Sequence, residues 1–428
     1  MLTTTVKPFA LVATQKLAPR KPKVLLTPTV DDVTRQLSKL TGDTYAVDFE
    51  ATGLDVWDVR TQVVGTAIAG PEGCWYMSHV NGADPRGYRA VLDWMSTKKL
   101  VAHNVAYDGR LVLRDAGQWF NWVMCTYGMF RQLVQDRDPQ FFSWSLDSLE
   151  TEILGWPESH KNRMRELLTE HSLSKSDMCK LAWLEPEEFA RYGALDAEAA
   201  WQAFTYFRQV LRDNSSTWGK TLAQYHTNEF LTLCRMLGEQ NLRGMQINVP
   251  KLLDYKASCE SKVAAYRKKL LAEPSIQPWI KSECEKAAKD FVGVEPPRFK
   301  QDGVSETVRW TKWKAKLGTA VPPEQAVNWN SKDQLADLFF DFLGFTPEYF
   351  SPKLPWKGHP GQNRPVVDKD VLPQLGPIGQ LLHKHNKLVK NLGYVNSLVA
   401  LSPTGVFHAD FNSHGTLTGR PAGGKGES

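Results

Sequence analysis

No run of about 18 apolar residues occurs in this chain of 428 residues, so no segment reads as a membrane-spanning helix. The N-terminus, M-L-T-T-T-V-K-P-F-A, lacks an apolar stretch followed by small cleavage-site residues. Secretion and membrane insertion are therefore not expected, and a cytoplasmic location is. Cysteine is sparse: the 6 thiols, Cys74, Cys125, Cys179, Cys234, Cys259 and Cys284, form no C-x-x-C pair and have no histidine at zinc-ligand spacing. That excludes a disulfide framework and a structural zinc site. Acidic residues are absent from positions 1–25, where Lys7, Lys16, Arg20, Lys21 and Lys23 accompany three prolines. This composition predicts a flexible basic arm over 1–30. The net charge of +5 is too small to demonstrate a nucleic-acid partner, although it permits one.

What is present is a globular composition, 42% hydrophobic, with 15 tryptophans and length for two or three domains. The stretch Tyr45–Leu54, Y-A-V-D-F-E-A-T-G-L, reads as a strand ending in a turn at Thr52-Gly53. Asp48 and Glu50 are two apart, so both project from one face. Such a pair is either a solvated strand end or a cation site. Strands are expected at 62–69 and 73–78, then a helix at 86–95. Leu100–Ala102 ends in His103-Asn104, and a helix carries Asp108 in its first turn, where an acid commonly complements the dipole. Leu146, Leu149 and Ile153 share an apolar helical face. A long amphipathic helix over 185–211 presents Tyr192 and Asp196 one turn apart.

Further helices are expected at 225–242 and 251–272, with a domain boundary near 215. Residues 273–326 read as an irregular insertion containing R-W-T-K-W-K-A-K-L. That piece suits either stacking on a nucleic-acid strand or a tryptophan-anchored helix. Asn330 or Ser331 caps a helix expected to bury Leu335, Leu338, Phe339 and Phe342. A later helix places Lys384, Lys387 and Lys390 on one face, suited to DNA phosphates.

The acids Asp48, Glu50, Asp108 and Asp196, with Tyr192, make up about the inventory that two-metal hydrolysis of a phosphodiester requires. They also stand in recognisable order. Asp48-Phe49-Glu50-Ala51-Thr52-Gly53-Leu54, His103-Asn104-Val105-Ala106-Tyr107-Asp108 and Tyr192-Gly193-Ala194-Leu195-Asp196 resemble D-x-E-x-T-G-L, H-N-x-x-x-D and Y-x-x-x-D of the DEDD proofreading exonucleases, tyrosine-bearing subclass. The resemblance implies a ribonuclease-H-like α/β domain over 31–215 with a mixed sheet and two Mg²⁺ or Mn²⁺ ions. By it, Asp48, Glu50 and Asp196 hold one ion, Asp108 with Asp48 the other, and Tyr192 positions the attacking water. Thr52, Leu54, His103 and Asn104 then meet the substrate strand.

The remainder is similar to the thumb and first palm segment of family A DNA polymerases, the bacterial DNA polymerase I and phage replicative group. Asn328–Leu335 resembles the thumb entry, Asp368–Leu375 a following segment, and H-A-D-F-N-S-H-G-T-L-T-G-R the motif before the palm. This implies a mainly helical linker and thumb over 216–395 and an unfinished palm segment over 396–428, with Arg420 on DNA. Asp410 precedes that T-G-R and is no substitute for the palm aspartates. The expected function is a proofreading 3′–5′ exonuclease with a DNA-binding thumb, completed as a polymerase by a second polypeptide carrying palm and fingers, and open to a processivity factor. The competing readings are a free-standing nuclease for RNA or repair ends and a non-catalytic DNA-gripping subunit.

Overall fold

The computed structural model describes residues 17–134, 145–293, 308–401, 404–413 and 421–423. They form two compact units, Met1–Met245 with His408–Ser428, and Gln246–Phe407. Among the described residues no helix is long and apolar enough to cross a membrane.

The first unit is built on a six-stranded mixed sheet: β1 (Lys23–Leu25), β2 (Thr44–Ala51), β3 (Val63–Gly70), β4 (Gly73–Ser78), β5 (Lys99–Ala102) and β6 (Asn121–Cys125), in spatial order β1-β4-β3-β2-β5-β6. Strands β2, β3 and β4 form an antiparallel meander, whereas β5 runs parallel to β2 and β6 to β5. Period-two alternation sorts the side chains into two cores. Ala46, Val64, Tyr76 and Val101 face one side; Tyr45, Val47, Phe49, Ile68 and Leu100 face the other.

The second of these faces is covered by α1 (Val30–Leu37), α2 (Arg86–Met95) and α3 (Val105–Ala116). Thr29 opens α1 through a capping box with Asp32. The first face receives α4 (Thr126–Val134), α5 (Leu146–Ser148) running into a π-turn at Leu149–Ile153, α6 (Lys161–Glu170), α7 (Leu181–Leu184) and α8 (Pro186–Asp213). Alanines 190, 194, 197, 199, 200 and 203 of α8 are buried, which lets this helix lie close upon the sheet. After α8 come α9 (Gly219–Tyr225) and α10 (Leu231–Arg243), whose Leu231 and Cys234 join the core. Compact packing continues past the boundary expected near 215, as far as Met245, because these helices bury apolar residues in the same unit.

From Leu17 onward, the segment expected as part of an arm over 1–30 is packed on the first unit. Arg20 pairs with the buried Glu198 of α8 and donates to the Gly70 carbonyl at 2.7 Å, and β1 adds to the sheet edge beside β4. A buried carboxylate needs such a partner, and that need fixes the segment.

The second unit contains α11 (Val249–Leu271), α12 (Gln277–Val292), α13 (Val308–Lys314), α14 (Pro323–Ala326), α15 (Lys332–Ala336) and α16 (Gly376–Leu401), with a hairpin pairing Phe350–Pro355 and Asn363–Pro365. Helices α11 and α16 run antiparallel, linked where Arg267 meets His385 and Asn391 donates to Tyr255. Ile276, Trp279, Trp329, Leu335, Phe339 and Leu382 form its core. The stretch expected to be irregular therefore includes a 16-residue helix, α12, whose early proline sits in the first turn, where no backbone donor is lost. The R-W-T-K-W piece is helical in α13, with Trp310 and Trp313 stacked at 4.9 Å. Ser331 caps α15, its hydroxyl accepting from the Gln334 amide. Phe342, expected in the core, is 41% exposed: Asp337–Phe342 winds as a π-turn, which rotates that side chain off the buried face.

Candidate active site

Strand β2 pairs with β5 only from Thr44 to Ala46, beyond which the chain leaves β5 and enters α3. The backbone of β2 past Ala46 is thus free on that side. The Phe49 amide uses the freedom, donating to Asp108 Oδ1 at 3.2 Å. Asp108 is thereby drawn from α3 to the strand that carries Asp48 and Glu50. These two acids lie on the face covered by α8, where Asp196 waits. One ligand oxygen from each of Asp48, Glu50 and Asp196 lies within 4.8 Å of the others. Gly193 permits the approach, since a Cβ there would stand 2.9 Å from the Tyr76 ring and 3.3 Å from Glu50 Cγ.

Four carboxylates in so small a space cannot all carry charge. Burial, reinforced by the Asp196 and Glu50 charges, holds Asp48 well above the usual carboxylate range. Burial likewise pushes Glu50 up to about 8, with Asp196 adding to it. Asp108 rises to about 7 through burial, moderated by its bond from the Phe49 amide. Asp196 goes the other way: burial would raise it, but the Lys161 and His160 charges bring it down to about 2. Tyr192, on the same face of α8, is 7% exposed, and burial beside Asp196 holds its phenol well above its ordinary value.

Sequence reasoning missed Glu150, His160 and Lys161. His160 Nε2 lies 2.7 Å from Asp196 Oδ1, and its Nδ1 lies 3.0 Å from Glu150 Oε1. Burial lowers this imidazole, but the two carboxylates outweigh burial and raise it to about 9. Lys161 Nζ stands 3.6 Å from Asp196 Oδ1 and 5.8 Å from the centre of the Tyr192 ring. Asp147 holds their segment in place, accepting from the Ser159 hydroxyl at 2.7 Å and pairing with Arg165. One signal was available. Glu150 stands four residues after Leu146, on the apolar face, where a carboxylate has no business without a partner.

The expected substrate residues have separate settings. Leu54 is 72% exposed. Asn104 is exposed at the start of α3 and makes no side-chain cap bond. Thr52 holds its own turn, its hydroxyl accepting from the Gln62 amide at 2.9 Å. His103 Nδ1 lies 3.1 Å from the Thr126 hydroxyl. Lys384, Lys387 and Lys390 are exposed on α16 of the second unit, and Arg420 lies outside the described residues.

Residues 27–212 match the 3′–5′ exonuclease family. No curated protein matches the chain. Among solved structures, the POL domain of Pol1 from M. smegmatis, in complex with DNA primer-template and dNTP, is similar in fold, with a TM-score of 0.58 at 15% identity over 94% of this chain. The chain spans 54% of that protein's length. Residues 27–212 of the first unit thus resemble a 3′–5′ exonuclease domain, and the fold is similar to that of a family A polymerase. The fold class expected from the sequence, an α/β exonuclease domain followed by a largely helical region, is the one observed.

Proposed function

We propose that this chain removes nucleotides from the 3′ end of a DNA strand, and that the helical second unit grips the DNA being proofread, as part of a family A polymerase. The convergence of Asp48, Glu50 and Asp196 within 4.8 Å, with Asp108 on the adjoining backbone, carries the reading. The donor set fits divalent ions of the Mg²⁺ or Mn²⁺ class: every ligand is a carboxylate oxygen, and too little protein charge is present to ionise them all. Asp48, Glu50 and Asp196 would hold one ion, and Asp108 with Asp48 a second. Such ions supply Lewis acidity to the phosphoryl group and the leaving 3′ oxygen.

The chain's own residues do the rest. Tyr192 keeps its proton, held by burial and by its hydrogen bond to Asp196, and its hydroxyl oxygen orients the attacking water by accepting from it. Glu50 accepts from the same water and fixes its direction. Lys161 adds a positive charge beside Asp196 and Tyr192, where a scissile phosphate is negative. Leu54 and Asn104, exposed beside the acids in sequence, meet the terminal nucleotide.

Comparing the purified chain with an Asp48→Ala, Glu50→Ala variant tests the proposal. Hydrolysis of single-stranded DNA should exceed that of RNA and should fall, in the variant, to the level seen with chelator. Unchanged hydrolysis in the variant would move the site elsewhere.

A further inference from the structure

Asp410 stands 300 residues from Arg110 in sequence, yet Arg110 Nη1 donates to Asp410 Oδ1 at 2.9 Å. Arg110 lies two residues after Asp108 on α3, and only 13% of its side chain is exposed. Its stem rests on Gly238 of α10, where a Cβ would stand 3.1 Å from Arg110 Cγ. From there the side chain turns back along its own helix, and Nε donates to the Ala106 carbonyl at 2.7 Å. Arg110 thus grips the first turn of α3, the turn that carries Asp108, and ties it to residue 410.

The far end of this tie is itself fixed. Asn241 of α10, 2% exposed, donates to the Ala409 carbonyl at 2.9 Å, and its own carbonyl lies 2.7 Å from His408 Nδ1. The His408 ring stacks on Trp57 with centres 4.4 Å apart, and the Cys234 thiol meets the buried Ser413 hydroxyl at 3.7 Å. These contacts on residues 408, 409 and 413 hold the backbone on either side of Asp410.

Among the strand and α3 acids, Asp108 is the one in need of such a hold. Asp48 and Glu50 are placed by the pairing of β2 with β3, whereas Asp108 reaches β2 from another element, through the Phe49 amide. A small shift of the first turn of α3 carries its carboxylate off the strand. Outer residues that orient a metal ligand matter nearly as much as the ligand. Charge works in the same direction: burial raises Asp108 and the Phe49 amide lowers it, and the Arg110 charge also lowers it, favouring the ionised form that a cation requires.

We propose that Arg110 and Asp410 are positioning residues for Asp108, so that the segment 408–413 is a working part of the acidic centre and sets the affinity of the ion that Asp108 would hold. The proposal rests on the reading of the four acids as a divalent-ion site.

The test reads metal binding apart from hydrolysis. Mn²⁺ is titrated into the full chain without DNA, and free Mn²⁺ is followed by its EPR signal. Asp410→Asn removes the charge of a side chain that is 46% exposed, so the fold survives it and Tm in chelator should change little. The variant should weaken one ion about tenfold and leave the other, and Asp410→Glu should recover part of the loss. On a short single strand, Asp410→Asn should lower kcat at limiting Mn²⁺ without changing KM for DNA, and excess Mn²⁺ should restore kcat. Asp93→Asn, which opens an exposed ion pair with Arg89 on α2, should change none of these. Unchanged affinity for both ions in Asp410→Asn would overturn the proposal, as would equal weakening of both alongside a lowered Tm, which marks a merely structural tie. If one ion is weakened as expected but the natural chain hydrolyses no DNA, the positioning stands and the nuclease reading fails. A natural chain that binds no Mn²⁺ would overturn both.

Discussion

At the residue scale, the acidic centre is a problem of charge in a small volume. His160 and Lys161 answer part of it by facing Asp196, and Glu150 keeps His160 turned toward that carboxylate. His160→Ala removes the group that fixes Asp196. Loss of a residue that orients a ligand typically costs 10–100-fold, so kcat should fall by about that factor, with His160→Gln recovering part of it through a neutral hydrogen bond. Single-turnover hydrolysis reads this directly. A second outcome concerns pH. Glu50 and Asp108 sit at about 8 and about 7 in the folded chain, against an ordinary carboxylate value of about 4. Between those limits the folded chain binds more protons than the unfolded one, so stability is highest on the acid side and is lost as pH rises through 7 and 8. In chelator, Tm should decline from pH 5.5 to 8.5. Divalent ions, which favour the ionised carboxylates, should flatten the decline.

At the element scale, the site depends on how closely α8 lies on β2. Gly193→Ala would drive a methyl group toward the buried Tyr76 ring and Glu50. Overpacking of this kind destabilises by about 1–3 kcal/mol, which urea denaturation would register as a lowered midpoint, with a nuclease defect beyond the loss of folded protein. Strand β2, the start of α3 and the length of α8 were legible in the sequence because each carries a strong period and its own chemistry. Glu150, His160 and Lys161 were not, because their meeting with Asp196 depends on the π-turn after α5 and on Asp147 anchoring the segment before α6. The same kind of turn moved Phe342 out of the core. Helix α12 was hidden by a proline that reads as a breaker yet is harmless in a first turn.

At the scale of the whole molecule, the two units divide the labour differently. The first assembles buried acids from three distant segments, while the second presents Lys384, Lys387 and Lys390 to solvent on one long helix. If those lysines neutralise DNA phosphates, replacing all three by alanine should reduce the slope of log affinity against log salt by about 2–3. Duplex binding titrated between low and moderate salt measures this. Hydrolysis of a short single strand should change far less, because the acids sit in the other unit.

The most direct test of the account follows a single-stranded DNA labelled at its 5′ end through a time course with the full chain and Mg²⁺ or Mn²⁺. The account predicts a ladder of labelled products shortening one nucleotide at a time from the 3′ end, absent in Asp48→Ala and in chelator. Release of the 5′ label as the first product, or an unaltered ladder from Asp48→Ala, would contradict it.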